Sequence, residues 1–216
     1  MSWVVLHVIG IIAYTASGAL VAIESKYSFI GIFVLGLTTS FGGAIVRNLI
    51  IDAPVSGVWD SNTIAVVFVT LTLIVFLPLK WVHHWKRWGL FFDSIGLATF
   101  ALQGALSAKY AHDHLGLILL SAMFTGLGGG MIRDILAGRK PLALKEEIHA
   151  VLTLICGLCA WLDWIHPIQL TLVVFCIVTI RMLAIKFNWK LHLPYRIETH
   201  KKFRKNDGKA KSSLND

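Results

Sequence analysis

Two stretches of this chain put together residue types that can handle an ion or a small charged molecule. One reads Gly42-Gly43-Ala44-Ile45-Val46-Arg47-Asn48. The other reads Gly128-Gly129-Gly130-Met131-Ile132-Arg133-Asp134. Each lies in the middle of a long apolar run. Glycine costs a helix about 1 kcal/mol relative to alanine, and an arginine in hydrocarbon costs roughly 3 kcal/mol or more. Helices loosened at these points would expose carbonyl and N–H groups, which at that depth must face protein or a wet cavity. The hydroxyls of Thr38, Thr39 and Ser40 before the first cluster, and of Ser121 and Thr125 before the second, would supplement such carbonyls around a partly dehydrated cation. Close packing is the competing reading. Gly126 and Gly130 form a GxxxG pair, and Gly18/Ala22 and Gly104/Ala108 are small pairs of the same spacing, which let membrane helices approach.

Other chemistry is sparse. Cys156 and Cys159 have CxxC spacing but no second pair, and a zinc site takes about four ligands; with Cys176 they read as inert thiols in apolar helices. His83, His84, His112 and His114 fall in connecting segments. No phosphate loop, nucleophile elbow or acid pair stands out, so no enzyme, cofactor or metal site is expected.

The elements that hold the two clusters are membrane helices. Of 216 residues, 56% are hydrophobic, and mean hydropathy is +0.71, far above a soluble domain. Seven apolar spans are predicted: Trp3 to Ile23, Phe29 to Ile51, Thr63 to Leu79, Gly89 to Ala108, Leu115 to Ala137, Ile148 to Ile165 and Ile168 to Ile185. They form one membrane domain over residues 1–190, leaving 191–216 as a basic tail. Residues 186–216 hold nine of the Lys/Arg and three acids, so most of the net charge of +8 sits there. Lys201-Lys202-Phe203-Arg204-Lys205 lacks the scaffold of a nucleic-acid reader and suits a surface of anionic lipid. Lys80, Lys86 and Arg87 in the third connection and Arg139, Lys140 and Lys145 in the fifth add to the tail's side. That bias places the N-terminus outside and the C-terminus in the cytoplasm of a cell-membrane protein.

The clusters recur because the chain repeats. Ile9 to Leu20 lies over Ile95 to Leu106, and Gly42, Gly43 and Arg47 lie over Gly128, Gly129 and Arg133, all 86 residues apart. Repeat 1 covers about 3–80 and repeat 2 about 89–165. Each holds three spans, so the second enters the membrane from the opposite face, an inverted-topology repeat of the transporter kind, with the seventh span extra. Arg47 then lies in the outer half and Arg133 in the inner half. Asp93 is the depth-matched partner of Arg133; its equivalent is His7, which is no anion, leaving Asp52 as the candidate for Arg47. Asp134 faces a pore or another helix. Snorkelling to the headgroups is the alternative for each charge.

Two three-span repeats, each with a Gly-rich second helix followed by Arg and Asn or Asp, plus a seventh span, resemble the trimeric intracellular cation (TRIC) channels, and more closely their bacterial relatives, which are also labelled glycine transporters. The strongest motif is Thr125 to Asp134, with a weaker copy at Ser40 to Asn48. The resemblance implies a homotrimer in a lipid bilayer. Each protomer would hold an hourglass pore lined by kinked second and fifth helices and passing monovalent cations, chiefly potassium. Ala44 and Asn48, where the second copy has Gly130 and Asp134, make the pore halves chemically unequal. A secondary transporter of a small amino acid such as glycine, with Arg133 on its carboxylate, is the other reading. On either, Gly129→Leu is expected to block transport and leave the trimer intact.

Overall fold

In a computed structural model, which describes residues 3–76, 85–187 and 189, the chain is all-helical. The helices are α1 (Trp3–Glu24), α2 (Phe29–Ile50), α3 (Ser61–Val75), α4 (Trp85–Ala111), α5 (Leu115–Leu136), α6 (Leu142–Lys145), α7 (Ile148–Trp161) and α8 (Pro167–Phe187). Five of them, α1, α2, α4, α5 and α8, are long and apolar enough to cross a membrane, and α3 and α7 are shorter apolar helices. The third span ends earlier than expected among the described residues, and the sixth stops at Trp161 instead of Ile165. Lys80, Trp81, His83, His84 and the basic tail beyond 189 lie outside the described residues.

Helix ends follow local chemistry. The Ser28 hydroxyl accepts from the Gly31 N–H at 3.3 Å and starts α2; Asp60 does the same for α3 through the Thr63 N–H at 3.2 Å. The chain after α2 turns through Asp52 at φ 54° and after α5 through Gly138 at φ 67°. These two positions are again 86 apart. In each, a backbone N–H beyond the turn reaches back to a carbonyl of the last helical turn, Ala53 to Asn48 and Arg139 to Asp134, both at 2.8 Å. The same turn closes α7, with Asp163 at φ 59° and Trp164 N–H on the Cys159 carbonyl at 3.0 Å. This left-handed cap is why the sixth span is short. There Lys109 of α4 donates to the carbonyls of Ala160 at 2.9 Å and Trp161 at 3.1 Å and pairs with Asp163 at 2.6 Å, satisfying orphan carbonyls at the helix end.

At the centre α1 packs on α4 and α2 on α5, while α1 also packs on α2 and α4 on α5; α3 leans on α1 and α7 on α4. One apolar cluster joins α4, α5, α7 and α8 around Leu97, Ala101, Ile118 and Ile177. A second joins α1, α2 and α3 around Ile11, Phe41, Val67 and Leu71. Outward faces carry large apolar side chains such as Phe68, Leu73, Leu172 and Phe175, as expected where the solvent is lipid.

Candidate functional site

The glycine clusters do not break their helices. Hydrogen-bonded helix runs without interruption through 42–43 and 128–130, which corrects the expectation of unwound or Gly-broken helices 2 and 5. The glycines instead let α2 and α5 touch. A Cβ on Gly43 would collide with the carbonyl oxygen of Thr125, and one on Gly129 with the carbonyl oxygen of Thr39. Each glycine thus faces the partner helix at the position equivalent to the one that faces it. The helix propensity scale charges glycine for loose backbone; here the backbone is held by a neighbouring helix, and absence of a side chain is what permits the contact.

The hydroxyls singled out from the sequence mostly bond backwards along their own helices. Thr38 donates to Val34 at 2.8 Å, Thr39 to Leu35 at 2.6 Å and Ser40 to Gly36 at 2.7 Å, the usual refuge of a hydroxyl within a helix. Ser40 also meets Thr15 at 2.6 Å. Ser121 crosses to the Gly104 carbonyl at 2.8 Å. The Thr125 hydroxyl is buried and has no hydrogen-bond partner among the described residues. Tyr14, unremarked in the sequence, donates its hydroxyl to the Gly126 carbonyl beside these contacts.

Toward the end where α1, α5 and α8 finish, charges from several elements converge. Arg133 meets Asp93 of α4 at 2.5 Å, as its depth suggested, and also Asp134 at 2.8 Å and Ser17 of α1 at 2.6 Å. Asp134 does more than face a neighbour: its other oxygen accepts the N–H of Leu142 at 3.1 Å, which fastens the short α6 turn to the cluster. The second Asp93 oxygen is taken by Arg181 of α8. Arg181 is fully buried and Arg133 nearly so, at 0% and 2% exposure, so neither snorkels. Two arginines and two aspartates sum to zero charge, the condition under which buried ions are tolerated. The buried ring of His149 lies against the same cluster, its Nε2 unpartnered among the described residues. Gly130 faces this cluster, its nearest neighbours being Asp93 and Arg133. A cavity of about 420 Å³ opens beside it, reaching Glu24, Arg139, Lys145 and Glu146.

Sequence reasoning missed Arg181 and left α8 as an added span. The signal was present, since a lone arginine in an apolar helix follows the rule applied to Arg47 and Arg133; α8 has no copy in the repeat to draw the eye. The α6 turn and its tie to Asp134 carried no sequence signal.

The opposite end is built differently. Arg47 makes no ion pair among the described residues, with Asp52 or any other acid. Its Nε donates to Asn48 Oδ1 at 3.0 Å, and the Asn48 amide donates to the Pro54 carbonyl at 2.8 Å. His7, at the position equivalent to Asp93, is bound at both ring nitrogens, by Gln103 and Thr63, each at 3.0 Å. A cavity of about 370 Å³ opens here, with Arg47, His7, Phe41 and Asp60 in its wall. Two cavities therefore lie at opposite ends, one beside each of two arginines 86 residues apart, with the glycine contacts between them.

Three comparisons bear on this arrangement. The family model described as Glycine transporter matches residues 4–79 and again 90–164. A membrane protein of Bacillus subtilis, YvgT, is 44% identical over 88% of this chain and 96% of its own, and the Escherichia coli inner membrane protein YadS is 30% identical over 88% and 93%. Among solved structures, a prokaryotic TRIC channel in 0.5 M KCl superposes with a TM-score of 0.77 at 30% identity over 88% of this chain and 98% of the other. A TRIC orthologue from Rhodobacter sphaeroides superposes at 0.73 with 25% identity over 87% and 98%.

Proposed function

The chain belongs to the bacterial TRIC channel family, the one the Glycine transporter model describes, and from that premise we propose that it conducts monovalent cations, chiefly potassium, along a path inside each protomer between α2 and α5. The observation that carries this reading is the pair of cavities at opposite ends, with the α2–α5 contact at Gly43 and Gly129 between them. That contact is the closed state of the path, and conduction needs the two helices to part there. The residues on or beside the path are Thr38, Thr39, Ser40, Gly42, Gly43 and Arg47 from α2, and Ser121, Thr125, Gly128, Gly129, Gly130, Arg133 and Asp134 from α5.

The two halves form an inverted repeat of three helices each, with α8 added as the seventh span. Contacts that exchange under the 86-residue shift support this: Gly10 lies on the Phe100 ring and Gly96 on the Tyr14 ring, just as Gly43 and Gly129 trade carbonyls. The double match of one family model supports it too. Arg87, Arg139, Lys140, Lys145 and Lys186 gather at the end holding the Asp93 cluster, which makes that end cytoplasmic, with the N-terminus outside. The protein assembles as a homotrimer in the cell membrane.

A second reading, transport of a small amino acid, keeps a place because the cavity at the Arg47 end carries both an arginine and an aspartate in its wall. Liposomes holding the purified protein and loaded with potassium separate the two. Rapid efflux on dilution, blocked by no amino acid and unsaturated with concentration, is expected of a channel; saturable glycine uptake with no potassium leak would replace it.

A further inference from the structure

We propose that the cavity between Arg47 and Asp60 is a binding site for a small zwitterion, a molecule with one carboxylate and one ammonium group a few bonds apart, of which glycine is the simplest. The proposal deepens the amino-acid reading above and does not depend on ion conduction.

The argument begins at the other end. The Arg133, Asp93 and Asp134 charges of the cluster there are each engaged within the protein, and Arg181, whose Nε and Nη1 have no partner among the described residues, is fully buried. Arg133 has Asp93, Asp134 and Ser17; Asp93 has two arginines; Asp134 has Arg133 and the Leu142 N–H. A carboxylate arriving there would have to displace a buried aspartate, so Arg133 is no receptor for it, contrary to the role first expected of that residue. At the Arg47 end the equivalent anions are absent. Asn48 stands for Asp134 and His7 for Asp93. Asn48 engages only Nε, and the two terminal nitrogens of Arg47 have no partner among the described residues. They keep the planar fork that grips a carboxylate through two hydrogen bonds.

Asp60 supplies the opposite sign. Its Oδ2 caps α3, taking the Thr63 N–H at 3.2 Å and the Thr63 hydroxyl at 3.4 Å, while Oδ1 has no partner among the described residues and is open to an ammonium. Among the other polar groups of the wall, Thr63 also meets His7, whose other nitrogen meets Gln103, and the Asn62 amide is uncharged. The wall thus presents one free cation and one partly free anion. A simple anion would leave Asp60 unmatched and repelling; a simple cation would do so with Arg47. A zwitterion meets both, and its desolvation is offset at each end by a fixed charge of opposite sign. The volume of about 370 Å³ falls within the range of small-molecule sites, and the apolar wall from Val8, Ile11, Phe41 and Val66 favours a ligand with little polar surface between its two charges.

Isothermal titration of the full-length protein in detergent micelles tests this, with glycine, acetate and methylammonium as probes. Glycine is expected to bind, and acetate and methylammonium to bind at least about tenfold more weakly, since each forfeits one charged contact. Arg47→Gln and Asp60→Asn should each weaken glycine about tenfold or more, whereas Arg139→Gln at the far side of the molecule should leave it unchanged. Size-exclusion profiles establish which variants fold; should Arg47→Gln fail, Asp60→Asn and the comparison of the three probes still decide. No heat with glycine, acetate binding as tightly as glycine, or glycine binding indifferent to both substitutions would overturn the proposal. Potassium currents recorded from the same preparation keep the readings apart: currents without glycine binding defeat this site alone, and glycine binding without currents defeats the channel alone.

Discussion

Asp93→Asn should be the most damaging single-atom change in the membrane domain. Asp93 is 5% exposed and holds two arginines, Arg133 at 2.5 Å and Arg181. The amide is nearly the same size, so no cavity arises and packing is constant. What changes is charge: a neutral group of two cations and two anions becomes a buried group of net +1. Arg133 keeps Asp134 and Ser17, but Arg181 loses the one acid it pairs with among the described residues. Removing one partner of a buried pair costs about 3–5 kcal/mol, which for a chain of this length corresponds to a fall in Tm of roughly 10 °C. Thermal unfolding followed by tryptophan fluorescence in micelles reads this directly. Adding Arg181→Met to Asp93→Asn restores neutrality and should recover about 2 kcal/mol or more, a clear departure from additivity for groups in contact. A Tm within about 1 °C of wild type for Asp93→Asn, or strict additivity in the double variant, would refute the claim that α8 is bound to the core through charge.

Gly129→Leu should lose the folded protein and not merely its transport, because a side chain at that position meets the Thr39 carbonyl of α2; even Gly129→Ala should cost about 1–3 kcal/mol, seen as a lowered Tm. Lys109→Met removes the cation that binds the Ala160 and Trp161 carbonyls and should cost about 1 kcal/mol, while Asp163→Asn, which neutralises an exposed carboxylate, should cost less. Tyr14→Phe removes the hydroxyl that donates to the Gly126 carbonyl between α1 and α5, and should lower stability by about 1 kcal/mol in the same thermal assay.

What could be read from the sequence was whatever lipid imposes residue by residue. Hydropathy located the five long helices to within a few residues, because a spanning helix cannot hide its length. The Asp93–Arg133 pair was legible since a buried cation must find an anion at its own depth, and the 86-residue repeat fixed that depth. The glycines were misread because propensity describes an isolated helix. Whether Gly43 and Gly129 loosen a backbone or admit a neighbour depends on what packs against them, and the partner carbonyls of Thr125 and Thr39 lie 82 and 90 residues away in the chain. Arg181 obeyed a rule already applied to two other arginines but lacked a repeat partner. The tie from Leu142 to Asp134 rests on a backbone N–H, which any residue type would supply, so no letter in the sequence marks it. The left-handed turn at Asp163 likewise shortened α7 without the glycine that usually announces such a stop.

The claim that α2 and α5 separate to open a cation path between two end cavities is tested most directly by single-channel recording of the purified protein in planar bilayers under a potassium chloride gradient. Discrete current steps are expected, with a reversal potential near that of potassium. Silent bilayers across the voltage range, or a reversal potential near that of chloride, would contradict it.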